Sequence, residues 1–508
     1  MDTSTRQQKM SVSAVHAPPF VEIVQIHQCL RMEVTELARM VAQARKDVSI
    51  RQEVLMRFEA LKSIYESHSK AEDEIIFPEL QARGLSIDAC AELDKQHNGQ
   101  HDAFVRLEQV LRSWSDDAAI LADELRASIV LHLRMEEEEL LPLLDSNFQK
   151  HELGFLVGRV IGDRSSEVME AIIHMLGRNL PPETVQSVIA DFMQAANGTN
   201  FAHWMDQKRK ESERGLIEGP GGFKQKGEVL PHVRLGVEHN ATATFSPTSG
   251  TFGCSHYQRG LKLWASCCQK LYTCTRCHDE AVGHSHQMDV SSKQAWCMNC
   301  SMFQANPGSK CANCDSLFGT YSCRSCGIWE CNPNVHVYHC PYCDVCRVGS
   351  GLGEDFFHCM RCNACVSTKM RYHKCVEGTL DRECPVCCET LFSTTRPVHY
   401  VRCGHLIHRD CFQKYLAHDY RCASCRYSMV DMSSTWRKLE QLIASQGNNV
   451  FAAQQLQSPA SHSAKTRCND CGKNSVPAEG PVGQFVSCGL VTLKVGEQCQ
   501  SCGSFNTV

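Results

Sequence analysis

The chain has 508 residues, a formal net charge of −5, 43% hydrophobic residues and 33 cysteines. Ordinary apolar content at this length implies about three or four domains and excludes wholesale disorder. Apolar runs such as Leu140 to Leu144 fall far short of the ~20 residues of a spanning helix, and MDTSTRQQKMSVSAVHAPPF at the start holds no apolar secretory segment. The expectation is a chain kept in a reducing compartment, nucleus or cytoplasm, where paired cysteines are more often metal thiolates than disulfides.

Only Cys29 and Cys90 precede Cys254, so the chain divides into a cysteine-poor front and a cysteine-dense back. Residues 1–19 read as disordered and 20–150 as four long amphipathic helices. The first carries the stripe Ile23, Ile26, Leu30, Val34, Leu37, Val41, with His27 beside Ile26 on the same face. The second runs Ile50, Val54, Phe58, Leu61, Tyr65, His68, Glu72, Ile75, placing a histidine and a carboxylate one turn apart at core positions. The third runs Leu93, His97, His101, Phe104, Leu111, and the fourth Leu121, Leu125, Ile129, His132, Glu136, Leu140, Leu143.

Five histidines and two carboxylates buried without partners would each cost about several kcal/mol. One such histidine is ordinarily a satisfied core residue. Seven on coincident stripes point to a metal, and imidazole with carboxylate suits iron in a bundle core. The pattern of a lone His27, then His68 with Glu72, His97 with His101, and His132 with Glu136 or Glu137 resembles the hemerythrin-like HHE domain, which implies a di-iron site. The strings HSKAEDEIIFPEL and HLRMEEEELLPLL are similar to the hemerythrin domains of plant BRUTUS-type, iron-regulated ubiquitin ligases.

Weaker periodicity over 151–196 reads as a helical extension, with Pro181-Pro182 opening a helix that carries Val185, Val188, Ile189 and Phe192. Residues 197–250 and the tract from about 445 to 466 lack periodicity and read as linkers.

The back half is counted by ligands. Cys254, His256, Cys267, Cys268, Cys274, Cys277, His278, His284, Cys297, Cys300, Cys311 and Cys314 are enough for three tetrahedral zinc sites, with His286 able to replace His284. Cys323, Cys326, His339, Cys340, Cys343, Cys346, His358, Cys359, Cys362, Cys365, His373 and Cys375 are enough for three more. These blocks, 251–318 and 319–380, resemble the CHY zinc finger and its C-terminal companion, the CTCHY finger. Cys384, Cys387, Cys403, His405, His408, Cys411, Cys422 and Cys425 within 381–427 resemble a RING finger with two histidines. That resemblance implies a cross-brace, Cys384, Cys387, His408 and Cys411 on one zinc and Cys403, His405, Cys422 and Cys425 on the other. A helix and linker follow over 428–466. In the last segment, 467–508, Cys468, Cys471, Cys499 and Cys502 read as a zinc ribbon. The total is about nine zincs, with Cys29, Cys90, Cys331, Cys388 and Cys488 as spectators.

The fold class expected is therefore multidomain: an N-terminal all-α four-helix bundle followed by small zinc-stabilised domains that include a RING cross-brace. Between residues 254 and 440 there are 21 Lys plus Arg against 16 Asp plus Glu, a thin basic excess that argues against nucleic acid as partner. The RING resemblance implies that Val386 and Arg426 touch a ubiquitin-conjugating enzyme (E2), with Arg426 also reaching ubiquitin, and that no residue acts as a nucleophile. Against the RING pattern, the segment CASC (Cys422 to Cys425) lacks the proline that the family commonly has after the seventh ligand. The family reading implies an iron-sensing E3 ubiquitin ligase whose substrates are transcription factors of the iron-deficiency response, hence a negative regulator of iron uptake. The competing readings are an iron- or oxygen-binding scaffold and a zinc-dependent transcriptional regulator.

Overall fold

The computed structural model describes residues 20–85, 88–213, 228–230, 242–247, 250–282, 288, 294–392, 396–446, 466–471, 474–475, 485–488, 491–494, 502, 504 and 506. Two compact units make up the chain, Met1–Met360 and Arg361–Val508.

In the first unit, α1 (Phe20–Ala44), α2 (Arg51–Ala71), α4 (Asp88–Ser113) and α5 (Ala118–Met135) form the bundle. Leu30, Val34, Val54, Phe58, Phe104, Leu107, Leu125 and Ile129 fill its core. Two short helices, α3 (Phe77–Ala82) and α6 (Leu141–Asn147), continue α2 and α5 after a widened turn in each, Glu72–Ile76 and Glu136–Leu140. In these π turns the Phe77 N–H donates to Glu72 O, and the Leu141 N–H to Glu136 O, five residues back. Pro78 and Pro142, each two residues beyond its turn, explain the widening. A proline has no N–H and crowds the carbonyl four residues before it, and one extra residue in the turn relieves the conflict.

Helices α7 (Lys150–Gly162), α8 (Ser166–Asn179) and α9 (Pro182–Ala195) occupy the expected extension. The expected linker over 197–250 is in part structured. Helix α10 (Phe201–Glu213) buries Phe201 and Trp204, and the strand β1 (Glu228–Leu230) pairs antiparallel with Phe303–Ala305. Two aromatic anchors in an otherwise polar stretch suffice because Phe201 stacks on Tyr342 of the zinc region, with ring centroids 5.3 Å apart, and Trp204 stacks on Phe201.

That zinc region begins with a five-stranded sheet in the order β1-β5-β4-β2-β3, where β2 is Leu261–Ala265, β3 Lys270–Tyr272, β4 Gln294–Cys297 and β5 Phe303–Ala305. Leu261, Leu263, Ala295, Phe318 and Trp329 form its small core. The C-terminal end of α7 lies flush on the next knuckle. Tyr342 Oη donates to Ile161 O at 2.6 Å, the Asn200 N–H to Tyr342 O at 2.7 Å, and a Cβ added to Gly162 would stand 2.0 Å from His358 O.

The second unit contains the hairpin Val398–Tyr400/Leu406–His408, the helices Arg409–Leu416 and Ser433–Gln446, and the short strand pairs 466–467/474–475 and 485–488/491–494. Tyr420, Met432, Trp436 and Leu439 pack the second of these helices onto the RING segment.

Candidate metal centres and RING surface

The bundle brings six of the seven expected iron-site residues to one point. His27, His68, Glu72, His97, His132 and Glu136 are all buried. Glu136 Oε2 lies 3.3 Å from His27 Nε2 and 3.4 Å from His68 Nε2, while Glu136 Oε1 adjoins His132 Nε2 and lies 3.9 Å from His97 Nε2. Glu72 places Oε1 3.7 Å from His68 Nε2 and Oε2 3.3 Å from His97 Nε2. Glu136 thus offers one oxygen to His27 and His68 and the other to His97 and His132, while Glu72 offers one oxygen to His68 and the other to His97. His27 Nε2, His68 Nε2, Glu72 Oε2 and both Glu136 oxygens are buried without a hydrogen-bond partner of good geometry. Such orphaned lone pairs, converging from four helices, form a donor set of imidazoles and carboxylates that suits iron.

The ring orientations are set from outside. Glu137 Oε1 lies 3.1 Å from His27 Nδ1, Asp73 Oδ1 2.8 Å from His97 Nδ1, and Gln96 Oε1 3.0 Å from His132 Nδ1. Each partner leaves Nε2 facing inward. The arrangement repeats within the chain: His68 and His132 each precede a glutamate by four residues, an acid follows directly, and a proline stands six residues after that glutamate. The following acids, Asp73 and Glu137, reach across to hold His97 and His27. Burial pulls the His97 imidazolium down, but Asp73, Glu136 and Glu72 outweigh it and push the group up to about 11. Burial acts to raise Glu136, and the surrounding histidines His68, His132 and His97 overcome it and hold its carboxyl well below the usual range.

His101 is a correction. Its side chain is 60% exposed and pairs with Glu66 at 3.3 Å. The inward stripe of α4 runs Leu93, His97, Gln100, Phe104, Leu107, Leu111, so Gln100 takes the step assigned to His101 and accepts a 2.5 Å hydrogen bond from Tyr65 Oη. Of the two candidate closing carboxylates, Glu136 is central and Glu137 is the outer partner of His27. Beside His27, His68 and Glu72 a cavity of about 50 Å³ is walled by Ile23, Ile26, Leu153, Val157, Val160 and Phe192.

Among the described residues the cysteines and histidines gather into clusters. Cys254, His256, Cys274 and Cys277 converge, as do Cys297, Cys300, Cys311 and Cys314, and Cys323, Cys326, His339 and Cys346, each set with ligand atoms within 4.8 Å of one another. Cys267 Sγ lies 3.1 Å from His278 Nε2, and Cys268 is adjacent in sequence. His358 Nδ1 lies 3.5 and 3.4 Å from Cys340 and Cys343, and His373 Nε2 3.2 and 3.4 Å from Cys362 and Cys375. Cys359 ends the strand Phe356–Cys359, and Cys365 lies in Ala364–Ser367. In the RING, Cys387 Sγ is 3.3 Å from His408 Nδ1, with Cys384 and Cys411 interacting beside it. Cys403 Sγ is 3.3 Å from His405 Nδ1 and interacts with Cys422 and Cys425. Cys468 Sγ and Cys502 Sγ stand 3.7 Å apart, and Cys471 interacts with Cys468. His284, His286 and Cys499 lie outside the described residues.

Three family models match: the hemerythrin HHE cation binding domain over residues 19–144, the CHY zinc finger over 254–328 and the Ring finger domain over 382–426. The chain is 34% identical to the Arabidopsis thaliana E3 ubiquitin-protein ligase RZFP34 over 51% of its own length and 84% of that protein. It is 32% identical to the E3 ubiquitin-protein ligase SRFP1 of Oryza sativa over 37% of its length and 73% of that protein. With Zinc finger protein BRUTUS of Arabidopsis thaliana it shares 27% identity over 89% of its length. The chain belongs to the family of CHY- and RING-type zinc-finger proteins that includes RZFP34 and SRFP1. It spans 43% of the length of BRUTUS itself.

In this chain the RING presents both expected contact residues to solvent. Val386 is 38% exposed on the first knuckle, and Arg426 follows Cys425 with its guanidinium 3.6 Å from Asp419. Sequence reasoning did not identify Arg396, which donates to Cys387 Sγ at 3.5 Å and Cys411 Sγ at 3.2 Å while pairing with Glu389 and Asp410. Nor did it identify Asp73 and Gln96. Their one signal is position: each directly adjoins a ligand in sequence.

Proposed function

We propose that this chain is a RING-type E3 ubiquitin ligase carrying an iron-binding hemerythrin-like sensor. Support comes from the RING geometry, which leaves Val386 and Arg426 each exposed to solvent, and from relatives that are named E3 ubiquitin-protein ligases. In this reading Val386 seats an E2, and Arg426 donates hydrogen bonds to the E2 and to the ubiquitin it carries. Holding the thioester in an attack-ready geometry is the whole of the catalysis. A substrate lysine amine attacks the thioester carbonyl, an isopeptide bond forms, and the E2 cysteine leaves as thiol. No cysteine of this chain enters the reaction, and Cys388, exposed beside Cys387, is a spectator.

His27, His68, His97 and His132, with Glu72 and Glu136, would hold two iron ions, and about nine zincs would occupy the thiolate sites. Bound iron would tie the four helices together. A ligand that binds only the folded bundle stabilises it by roughly 2.7 kcal/mol at a hundredfold excess over Kd, so iron supply sets how ordered the bundle is. The biological role consistent with this chemistry is negative regulation of the iron-deficiency response, through ubiquitination of its transcription factors in the nucleus or cytoplasm.

Ubiquitination in vitro with a panel of E2 enzymes tests the ligase reading. Wild type should build chains with at least one, and Val386→Ala and Arg426→Ala should each reduce the rate. Absence of chains with every E2, or unchanged rates in both variants, refutes it.

A further inference from the structure

The zinc ribbon is tied to the peptide that carries Arg426. Arg426 sits at φ +64°, the left-handed region that a non-glycine side chain occupies only when its surroundings hold it there. Its N–H donates to Cys422 O at 2.8 Å within the zinc knuckle. Its carbonyl is taken by the ribbon, where Asn506 Nδ2 donates to Arg426 O at 2.8 Å and to Asp470 Oδ1 at 2.8 Å.

Asp470, the residue before the zinc ligand Cys471, completes the tie. Its carboxylate accepts the Ser428 N–H at 2.9 Å, Ser428 Oγ at 2.9 Å and Ser504 Oγ at 2.6 Å. Asn506 Oδ1 in turn accepts from Asn469 Nδ2 at 3.0 Å. Asn506, Ser504 and Ser428 are buried and Asp470 is half-buried, so these bonds are largely shielded from bulk water. The network therefore clamps the backbone on both sides of Tyr427, at Arg426 and Ser428, while the Arg426 side chain stays 57% exposed beside Asp419. A fixed stem under an exposed guanidinium limits where its donors can reach, which is the form of pre-organisation that a positioning catalyst needs.

We propose that Asn506 and Asp470 are positioning residues for ubiquitin transfer, acting through Arg426, and that the ribbon is a support for the RING. This rests on the ligase reading above. The test is single-turnover discharge of a ubiquitin-charged E2 onto free lysine by the full chain, with any E2 that wild type accelerates. Asn506→Ala should lower the saturating rate about five- to tenfold, the worth of a buried hydrogen bond near the upper end of its range, with half-saturation by E2 and zinc content unchanged. Asn506→Leu, which fills similar space without a donor, should match it. In an Arg426→Ala background, Asn506→Ala should change nothing further. A wild-type rate in both Asn506 variants, an equal added loss without Arg426, or loss of zinc or E2 affinity in both variants overturns the inference. If wild type accelerates no E2, the ligase reading itself fails, and this inference falls with it.

Discussion

Replacing His101 by alanine and Glu136 by glutamine, separately, discriminates between the motif and the geometry. An HxxxH motif makes His101 an iron ligand, whereas the structure puts it on the surface beside Glu66, a pair worth about 0–1 kcal/mol at such exposure. His101→Ala should therefore keep full iron content and shift thermal unfolding by only a few degrees at most. Glu136 is fully buried, with its two oxygens facing four histidines. Glu136→Gln keeps the shape but removes the charge and turns one acceptor into a donor that points at imidazole nitrogens. Removing one partner from a buried charged cluster costs about 3–5 kcal/mol, and converted to affinity that is roughly a hundredfold or more. Iron per chain, measured by elemental analysis after anaerobic reconstitution and desalting, should collapse in Glu136→Gln with zinc unchanged. Iron lost in His101→Ala and retained in Glu136→Gln would refute the assignment.

Other outcomes follow from the same contacts. His68→Ala with Glu72→Ala should abolish iron binding and leave the zinc count intact, and full iron in the double variant would contradict the ligand set. Gly162→Ala forces a Cβ against His358 O, so α7 and the knuckle must separate; overpacking of this kind costs about 1–3 kcal/mol, readable as faster zinc release to a chelator and a lowered unfolding midpoint. Arg396→Ala removes donors to Cys387 and Cys411 and should weaken the first RING zinc about 10- to 100-fold, measured by competition with a chromogenic chelator. In the metal-free bundle, His97 is raised to about 11, so its contribution to stability is complete below the ordinary histidine range and fades as pH rises from there toward 11. Glu136, held low, acts oppositely: its contribution is present above the ordinary carboxylate range and lost as pH falls through its lowered value. Iron must displace the His97 proton, so uptake should acidify a weakly buffered solution and apparent affinity should rise from pH 6 to 8; uptake without proton release would count against this charge state.

The metal-site residues were legible because helical periodicity is local and a histidine at a core step is conspicuous. What misled was the choice between steps of three and four. Between His97 and Phe104 the inward position falls on either residue 100 or 101, and Gln100, whose amide meets Tyr65 Oη, wins it. Stripe arithmetic cannot see that partner, which belongs to another helix. The doubt between Glu136 and Glu137 had a similar origin. The π turn that starts at Glu136 is a response to Pro142, and only the assembled bundle shows one acid inside and the next reaching His27. Zinc ligands were legible because a tetrahedral site needs closely spaced pairs, and the pairing itself emerged from chain topology. Helix α10 was missed because two aromatic residues, Phe201 and Trp204, carry no period, and their burial depends on a tyrosine about 140 residues away.

The most direct test of a di-iron bundle joined to a thiolate-built ligase is the metal content of the purified full chain after anaerobic reconstitution with ferrous iron. About two irons and about nine zincs per chain are expected from the donor sets. A chain that holds its zinc and takes up no iron would contradict it.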